Sequence, residues 1–292
     1  MAQPASRSGG LTNLQKRILS AAVLLPLVIA AIYVGHPYFT VLIAVFAGAA
    51  AWEWVSVAAN VRTPGEVAPV PNPPPGLWRA DAFVSMAAVA AIALVAGFGA
   101  AGWGVFAIVG LVILWLVLTG LLKDRQRLPW NLAGIVYVAA AAAALVLIRS
   151  DPEWGRAALT WIIALVVAAD TGGYLVGRTV GGPKLAPRIS PNKTWSGLGG
   201  AVAGAALAGL LTAFILNHTN VLMLTLISAV IGLLEQGGDL VESAFKRHFG
   251  VKDTSQIIPG HGGVLDRVDG LLAVAVAVLV INLWAGGSVL AW

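Results

Sequence analysis

The sequence contains no cysteine among its 292 residues. That absence excludes disulfide bonds, thiolate metal ligands and a cysteine nucleophile. Charge is also scarce, because Asp, Glu, Lys and Arg make up only 11% of the chain, whereas an average soluble domain has about 25%. With 59% hydrophobic residues, a soluble protein of this size would have too few charges for its surface. The composition therefore excludes the soluble, disordered and fibrous classes and predicts a polytopic membrane protein.

Apolar runs recur along the chain, each close to the roughly 20 residues that cross a bilayer as a helix. They lie at about 17–34, 37–58, 82–98, 102–121, 131–148, 157–176, 198–216, 219–236 and 268–290. The predicted fold is all-α, a polytopic membrane protein with about nine transmembrane helices. We expect residues 1–155 to form a scaffold of about five spans. Residues 156–292, with about four spans and the motif-bearing loops, are expected to carry the chemistry.

The positive charges are distributed very unevenly between the two sets of loops. Of the 18 Lys and Arg residues, all except Arg149 and Arg156 lie in the N-terminal tail and in alternate loops. Because Lys and Arg mark the cytoplasmic side, this asymmetry predicts a cytoplasmic N-terminus. It also predicts functional loops that face the cytoplasm. We expect a multi-pass protein of the inner (plasma) membrane. No nucleic-acid partner is expected.

A stripe of ionisable residues follows the eighth apolar run. Glu235, Asp239, Glu242 and Lys246 are spaced by 4, 3 and 4 residues, so they share one face of a helix. Three acids on one face repel each other unless a cation lies among them. Either Lys246 supplies that charge alone, as part of an ion-pair stripe between helices, or a metal ion does.

A glycine-rich approach to the last span carries two more acids. After the run Pro259-Gly260-His261-Gly262-Gly263, Asp266 and Asp269 fall on one face where the last span begins. Carboxylate oxygens, in a chain without cysteine and with four histidines, suit Mg²⁺ better than zinc. Mg²⁺ held by carboxylates and phosphate oxygens is the usual arrangement at nucleotide sites.

The third polar segment begins inside the sixth span and continues into a basic loop. Its members are Asp170, Tyr174, Arg178, Lys184, Arg188, Ser190, Asn192, Lys193 and Thr194. Four cations in a loop with no acid indicate a site for a polyanion. The alternative is a positive-inside loop that touches anionic lipid headgroups, but that alternative does not account for the dense Ser-Pro-Asn-Lys-Thr run.

The segments above combine basic groups that can bind phosphates with carboxylates that can bind a metal, and both lie at the inner face of a membrane. This combination predicts phosphoryl or nucleotidyl transfer to a lipid. The Walker A motif is absent from the sequence, which excludes a P-loop enzyme. The CDP-alcohol phosphotransferase pattern of Asp-Gly, Ala-Arg and two further aspartates is missing too. An ion-coupled transporter is the alternative of a different class. Against it, the motifs lie at one face and no paired interrupted helices recur in the two halves.

A long C-terminal pattern carries a resemblance to a known family. Its elements are Ser243, Lys246-Arg247, Lys252-Asp253, His261-Gly262-Gly263, Asp266-Arg267 and Asp269. With these spacings, the segment resembles the phosphatidate cytidylyltransferase, or CDP-diacylglycerol synthase, family. Residues 238–243 and 189–195 and the set Asp170, Tyr174 and Arg178 resemble it as well. One departure is Ser196, where the family commonly has Glu. The resemblance is strong over about residues 160–280 and is only a hydrophobic pattern before that.

The resemblance implies the reaction of CTP with phosphatidate, a membrane lipid, to give CDP-diacylglycerol and pyrophosphate with a divalent metal, Mg²⁺. By the family's pattern, Asp239 and Asp266 would be metal ligands and Lys246 a phosphate contact. Asp269, Arg267 and His261 would lie close to the reaction, with His261 donating to phosphate or capping the loop. The implied substrate-binding residues are Ser190, Asn192, Lys193, Thr194, Asp170, Tyr174, Arg178, Lys184, Glu242, Ser243 and Arg247. A related lipid kinase or another CTP-dependent lipid transferase remains an alternative.

Two features outside these motifs carry separate expectations. Glu53 lies deep in the second span, where we expect a helix-packing hydrogen bond or, alternatively, a functional role. Gly200 and Gly204 form a small-residue stripe that predicts close helix contact, with a homodimer seam as one use for it.

Overall fold

The architecture comes from a computed structural model that describes residues 13–59, 80–98, 128–217, 220–258 and 260–292. Its helices are α1 (Asn13–Val34), α2 (Tyr38–Ala58), α3 (Ala80–Phe98), α4 (Leu128–Ser150), α5 (Gly155–Thr179), α6 (Trp195–Leu216), α7 (Val221–His248) and α8 (Leu265–Ala285). A short 3₁₀ turn, Val289–Ala291, follows α8. Two strands, β1 (Lys184–Ala186) and β2 (Ser190–Thr194), lie between α5 and α6.

The predicted all-α polytopic membrane fold is confirmed. Within the described ranges, seven helices, α2 to α8, are long and apolar enough to cross a membrane. The apolar part of α1, Ile18–Val34, is shorter. The predicted fourth span, 102–121, lies outside the described residues, so the count of nine stays a prediction.

The helices pack in two groups that share one element. Helices α2, α3 and α4 contact one another, and α6 packs against both α5 and α7. Helix α8 contacts both α4 and α7 and so joins the two groups. Helix α1 lies against α2 and α5. The division into a scaffold (1–155) and a catalytic region (156–292) remains a prediction about roles.

The basic loop is more ordered than its sequence suggests. Pro183, Pro187 and Pro191 are incompatible with a helix interior, and the segment forms a small antiparallel hairpin in which Lys184 lies opposite Thr194. Thr194 then serves as the N-cap of α6, because its hydroxyl accepts a hydrogen bond from the Gly197 N–H at 3.0 Å. The hairpin is therefore fixed directly to the start of a membrane helix.

The small-residue stripe on α6 is used within the chain. A side chain at Gly200 would overlap the carbonyl oxygen of Gly172, and one at Gly204 would overlap that of Ala168. Both carbonyls belong to α5, so the stripe lets two helix backbones approach closely. The predicted helix contact is thus found between α5 and α6, while the homodimer remains a prediction.

Replacing Gly204 with Ala should therefore destabilise the fold. The added methyl group would force α5 and α6 apart, and overpacking of this kind costs about 1–3 kcal/mol. Thermal unfolding of the purified protein in one detergent would measure the effect as a lower midpoint. Gly199→Ala is the matched control, since nothing lies within 4 Å of a methyl group there. Equal midpoints for the two variants would contradict the close α5–α6 contact.

Candidate active site

A polar pocket of about 560 Å³ opens between α5, the hairpin, the start of α6 and α7. Its polar lining consists of Asp170, Tyr174, Arg178, Lys184, Asn192, Lys193, Thr194, Gln236 and Asp239. Apart from Gln236, every one of these was singled out by its motif, although the motifs are far apart in the chain. The volume is within the range of about 300–1,000 Å³ that ligand sites occupy.

Lys193 is a lining residue of this pocket that contacts two residues of α7. Its ammonium lies 2.5 Å from Asp239 Oδ2 and donates to Gln236 Oε1 at 2.9 Å. Arg178 donates to the Tyr174 hydroxyl, and both Arg178 and Lys184 are exposed at the pocket. Strand β2 thus presents one cation to α7, while two further cations remain open to an anionic ligand.

Gln236 is a pocket residue that sequence reasoning missed. An amide at the end of an apolar run carries no signal of its own. Its role depends on bonds to Lys193 and, through its amide nitrogen, to Glu235 Oε2 at 2.9 Å.

Beside the pocket, three carboxylates from α7 and α8 meet. Asp239, Glu242 and Asp269 can place one oxygen each within 4.8 Å of the others. They approach because Gly238 has no side chain, and a methyl group there would lie 2.7 Å from Ala273 Cβ on α8. We call these three residues the acid cluster. Asp239 belongs to both the cluster and the polar pocket.

Glu242 is the member of the acid cluster that most needs a cation. It is only 1% exposed, and in the described part of the chain its carboxylate accepts no hydrogen bond. Lys246 Nζ lies 2.9 Å from Oε2 as an ion partner, but Oε1 has none. A buried carboxylate beside two others is costly without positive charge. This donor set of hard oxygens fits a divalent cation such as Mg²⁺.

Asp266, predicted as a metal ligand, has both oxygens engaged by the protein. Oδ1 accepts from Lys246 Nζ at 2.8 Å. Oδ2 accepts from the backbone N–H groups of Thr254 and Gly263, each at 2.9 Å, and from the Thr254 hydroxyl at 3.1 Å. The geometry therefore favours Glu242 and Asp269 as partners of Asp239, and the ligand role of Asp266 stays a prediction.

Lys246 is likewise enclosed. It is 9% exposed, and its ammonium lies between Glu242 and Asp266. Because Lys246 belongs to α7 and Asp266 to the first turn of α8, this ion pair connects the two helices. The predicted phosphate contact by Lys246 is untested, and the geometry favours a positioning role.

Glu53, from the scaffold half, anchors the loop that precedes α8. Its carboxylate is fully buried and accepts from the Ser255 hydroxyl at 2.6 Å and the Thr254 hydroxyl at 3.0 Å. It also accepts from the N–H groups of Val264 and Leu265 at 2.9 and 2.8 Å. The first turn of α8 has N–H groups without helical partners, and its positive dipole end favours an anion. An acid deep in α2 thus caps a helix more than 200 residues away.

Three more predicted residues, Ser243, Arg247 and Ser190, lie around the acid cluster and the hairpin. Ser243 donates to Asp239 Oδ1 at 3.1 Å and so borders the acid cluster. Arg247 donates to the carbonyls of Ile189 and Val251, which fixes the hairpin to the end of α7. Ser190 pairs across the hairpin with Ala186 and is not part of the pocket lining. Ser196, where the family pattern has Glu, donates to the Gly181 carbonyl.

His261 and Arg267 line a second cavity. This groove of about 660 Å³ lies between α1, α5 and the start of α8. His261 Nδ1 lies 2.7 Å from the Ser20 hydroxyl on α1, and Arg267 is exposed. The structure therefore separates these two predicted residues from the polar pocket.

Together, the fold and the site define a polytopic membrane enzyme with a pocket suited to a phosphate-bearing substrate. The chain belongs to the cytidylyltransferase family, whose model matches residues 15–284. It is 35% identical over 265 residues to a phosphatidate cytidylyltransferase of Brucella suis, covering 91% of this chain and 92% of the relative. It is 34% identical over 280 residues to the Pseudomonas aeruginosa enzyme of the same name, covering 94% and 98%. A Staphylococcus epidermidis phosphatidate cytidylyltransferase is 49% identical over 111 residues, which are 38% of this chain and 43% of the relative.

Proposed function

We propose that this protein transfers the cytidylyl group of CTP to phosphatidate, giving CDP-diacylglycerol and pyrophosphate for phospholipid synthesis. The proposal rests on the position of Asp239, which belongs to both the polar pocket and the acid cluster. There, a pocket with three cations adjoins a cluster of three carboxylates. This is the charge pattern that a triphosphate with a bound cation requires.

The chemistry makes modest demands on proton transfer. A phosphatidate oxygen attacks the α-phosphorus of CTP, a new P–O–P linkage forms, and the bond from that phosphorus to the pyrophosphate oxygen breaks. A phosphomonoester is largely ionised at neutral pH, with a second pKa of about 6, so the attacking oxygen carries no proton that a strong base must remove. Catalysis then depends on positioning and on charge neutralisation.

The residues of the polar pocket supply that neutralisation. Arg178 and Lys184 are open to the phosphate chain of CTP. Lys193, held by Asp239 and Gln236, lies where the nucleotide approaches the acid cluster. Asn192 and the start of α6 line the same pocket, and helix N-termini favour anions. Residues from three helices and the hairpin surround this pocket and can orient the nucleotide.

The acid cluster would hold the divalent cation. Its three carboxylates, with Glu242 unpaired on one oxygen, match the preference of Mg²⁺ for hard oxygen ligands. When bound, such an ion supplies charge stabilisation for the transferring phosphoryl group and orients the substrate. Asp239 couples the cluster to Lys193 and hence to the nucleotide pocket.

The distribution of Lys and Arg supports a site that faces the cytoplasm. The end of α5, the hairpin and the end of α7 are all on the side that the charge asymmetry assigns to the cytoplasm. Because the relatives are bacterial, we propose the inner membrane as the location, with CTP arriving from the cytoplasm and phosphatidate from the membrane.

The direct test is incorporation of labelled CTP into chloroform-soluble lipid by the purified protein. The expected result is a labelled lipid that forms only when both phosphatidate and Mg²⁺ are present. A second arm offers a prenylated glycerol phosphate in place of phosphatidate. Preference for that acceptor, or a phosphorylated lipid without cytidine, would replace the proposal with the related transferase or the lipid kinase. Normal CTP binding with no lipid product would end it.

A further inference from the structure

A buried threonine in the loop between α7 and α8 connects the scaffold half of the chain to the site. The side chain of Thr254 is fully buried, and the sequence motifs did not single it out. Its hydroxyl oxygen lies 3.0 Å from Glu53 Oε2 on α2 and 3.1 Å from Asp266 Oδ2 on α8. A hydroxyl has a single proton, so two carboxylates that are distant in the chain share one donor.

From Thr254 the contacts continue to the acid cluster. Asp266 Oδ1 accepts from Lys246 Nζ at 2.8 Å, and the same ammonium lies 2.9 Å from Glu242 Oε2. The five side chains from Glu53 to Glu242 form what we call the buried chain, and each is at most 9% exposed. Because a buried polar group that loses a partner is costly, a change at Thr254 affects how Asp266 and Lys246 are held.

The loop before α8 leaves room for this shared hydroxyl. A methyl group at Gly263 would overlap the Thr254 hydroxyl oxygen and would lie 2.6 Å from Glu53 Oε2. The Gly263 N–H donates to Asp266 Oδ2 at 2.9 Å, and so does the Thr254 N–H. The glycine therefore provides the space in which the two carboxylates approach one donor.

Ser255, the next residue, offers an internal comparison. Its hydroxyl is also buried and donates to the other oxygen of Glu53, Oε1, at 2.6 Å. Within the described residues, the second hydrogen bond of this hydroxyl is to the Ile257 N–H, and Asp266 is not among its partners. Both hydroxyls hold Glu53, but of the two only Thr254 also contacts Asp266.

We propose that Thr254 is a positioning residue for the transfer reaction. Its hydroxyl connects the anchor at Glu53 to Asp266 and, through Lys246, to Glu242 in the acid cluster. The inference rests on the proposed function, because it concerns the turnover of that reaction. It gives the scaffold half a part in the chemistry, since α2 then helps to fix where the carboxylates of α7 and α8 lie.

Thr254→Val tests the proposal, because valine has nearly the shape of threonine and lacks the hydroxyl. The variant should lower kcat at least about tenfold, since small misplacements of reacting groups have large effects on rate. KM for CTP should stay at the wild-type value, because Thr254 does not line the polar pocket, and KM for phosphatidate should stay there too. Thr254→Ser keeps the hydroxyl and should retain wild-type kcat. Thr254→Ala removes the hydroxyl without placing a methyl group beside the carboxylates, and it should behave as Thr254→Val does.

Ser255→Ala is the matched control. It removes the other hydroxyl that donates to Glu53 and leaves every donor of Asp266 in place. It should lower the thermal unfolding midpoint about as much as Thr254→Val, while its kcat stays close to the wild-type value. Equal losses of kcat in Ser255→Ala and Thr254→Val, or a Thr254→Ser variant as slow as Thr254→Val, would overturn the proposal.

Amide hydrogen exchange tests the connection without turnover. The Gly263 N–H donates to Asp266, whereas the N–H groups of Val264 and Leu265 donate to Glu53. Thr254→Val should speed exchange at Gly263, and Ser255→Ala should not, as followed by residue-resolved mass spectrometry. Unchanged exchange at Gly263 in Thr254→Val would refute the connection. If exchange changes as expected but the wild-type protein forms no CDP-diacylglycerol, the proposed function fails and the connection stands.

Discussion

Glu242→Gln is expected to lower turnover at least about a hundredfold, the size of effect seen when one group that stabilises transition-state charge is removed. The substitution keeps the shape of the side chain but removes one negative charge from the acid cluster. If the cluster holds the divalent cation, the Mg²⁺ concentration needed for half-maximal rate should rise as well. Initial rates of lipid labelling, measured across a Mg²⁺ titration, give both quantities.

Glu235→Gln is the matched control for that experiment. Glu235 is also a buried glutamate of α7. It contacts Gln236 and Asp170 at the polar pocket but is not a member of the acid cluster. Its substitution should leave the Mg²⁺ requirement as in the wild type. A Glu242→Gln variant with wild-type turnover and an unchanged Mg²⁺ curve would remove Glu242 from the cation site.

Asp266→Asn is expected to lower turnover by at least about a hundredfold too, but for a different reason. Asparagine has one acceptor oxygen where Asp266 uses two, so Lys246 and the Thr254–Gly263 loop cannot both be satisfied. A buried ammonium left with one partner is strongly destabilising to the local structure. The expected signature is a fall in kcat with an unchanged half-saturating Mg²⁺ concentration.

This signature separates the two roles of Asp266. A raised Mg²⁺ requirement would make Asp266 a ligand, as the family pattern predicts, and would contradict the positioning role. Asp151→Asn is the control, because Asp151 Oδ1 accepts from the N–H groups of Glu153 and Trp154 and asparagine keeps that acceptor. Asp151 lies between α4 and α5, away from the site, and its variant should retain wild-type kinetics.

Much of the site could be predicted from sequence because polar residues are rare in an apolar chain. The stripe Glu235 to Lys246 and the pair Asp266 and Asp269 stand out against their surroundings, and helical spacing places them on faces. The long motif also joins them to the basic loop. The grouping of Asp170, Lys193 and Asp239 in one pocket follows from these signals.

The pairing of individual side chains could not be predicted in the same way. Helical spacing shows that Asp266 and Asp269 share a face, but not that one faces Lys246 and the other faces Glu242. The role of Glu53 depends on N–H groups at the start of α8, and no local pattern in α2 indicates a partner so distant in the chain. The hairpin could not be predicted from the sequence either, since three prolines predict only that the segment is not helical.

The separation of His261 and Arg267 from the polar pocket is likewise a property of packing. His261 and Arg267 belong to the same motif as Asp266 and Asp269, so sequence alone places them in one site. The start of α8 turns successive side chains to different neighbours, and Arg267 reaches the groove whereas Asp269 reaches the acid cluster.

The central claim is that Asp239, Glu242 and Asp269 hold a cation beside a pocket for CTP. It is tested most directly by an experimental structure of the wild-type protein with Mn²⁺ and a non-hydrolysable CTP analogue. The account predicts anomalous density for Mn²⁺ among these three carboxylates, with the analogue's phosphates near Lys193 and Arg178. Mn²⁺ bound elsewhere, or a nucleotide outside the polar pocket, would contradict it.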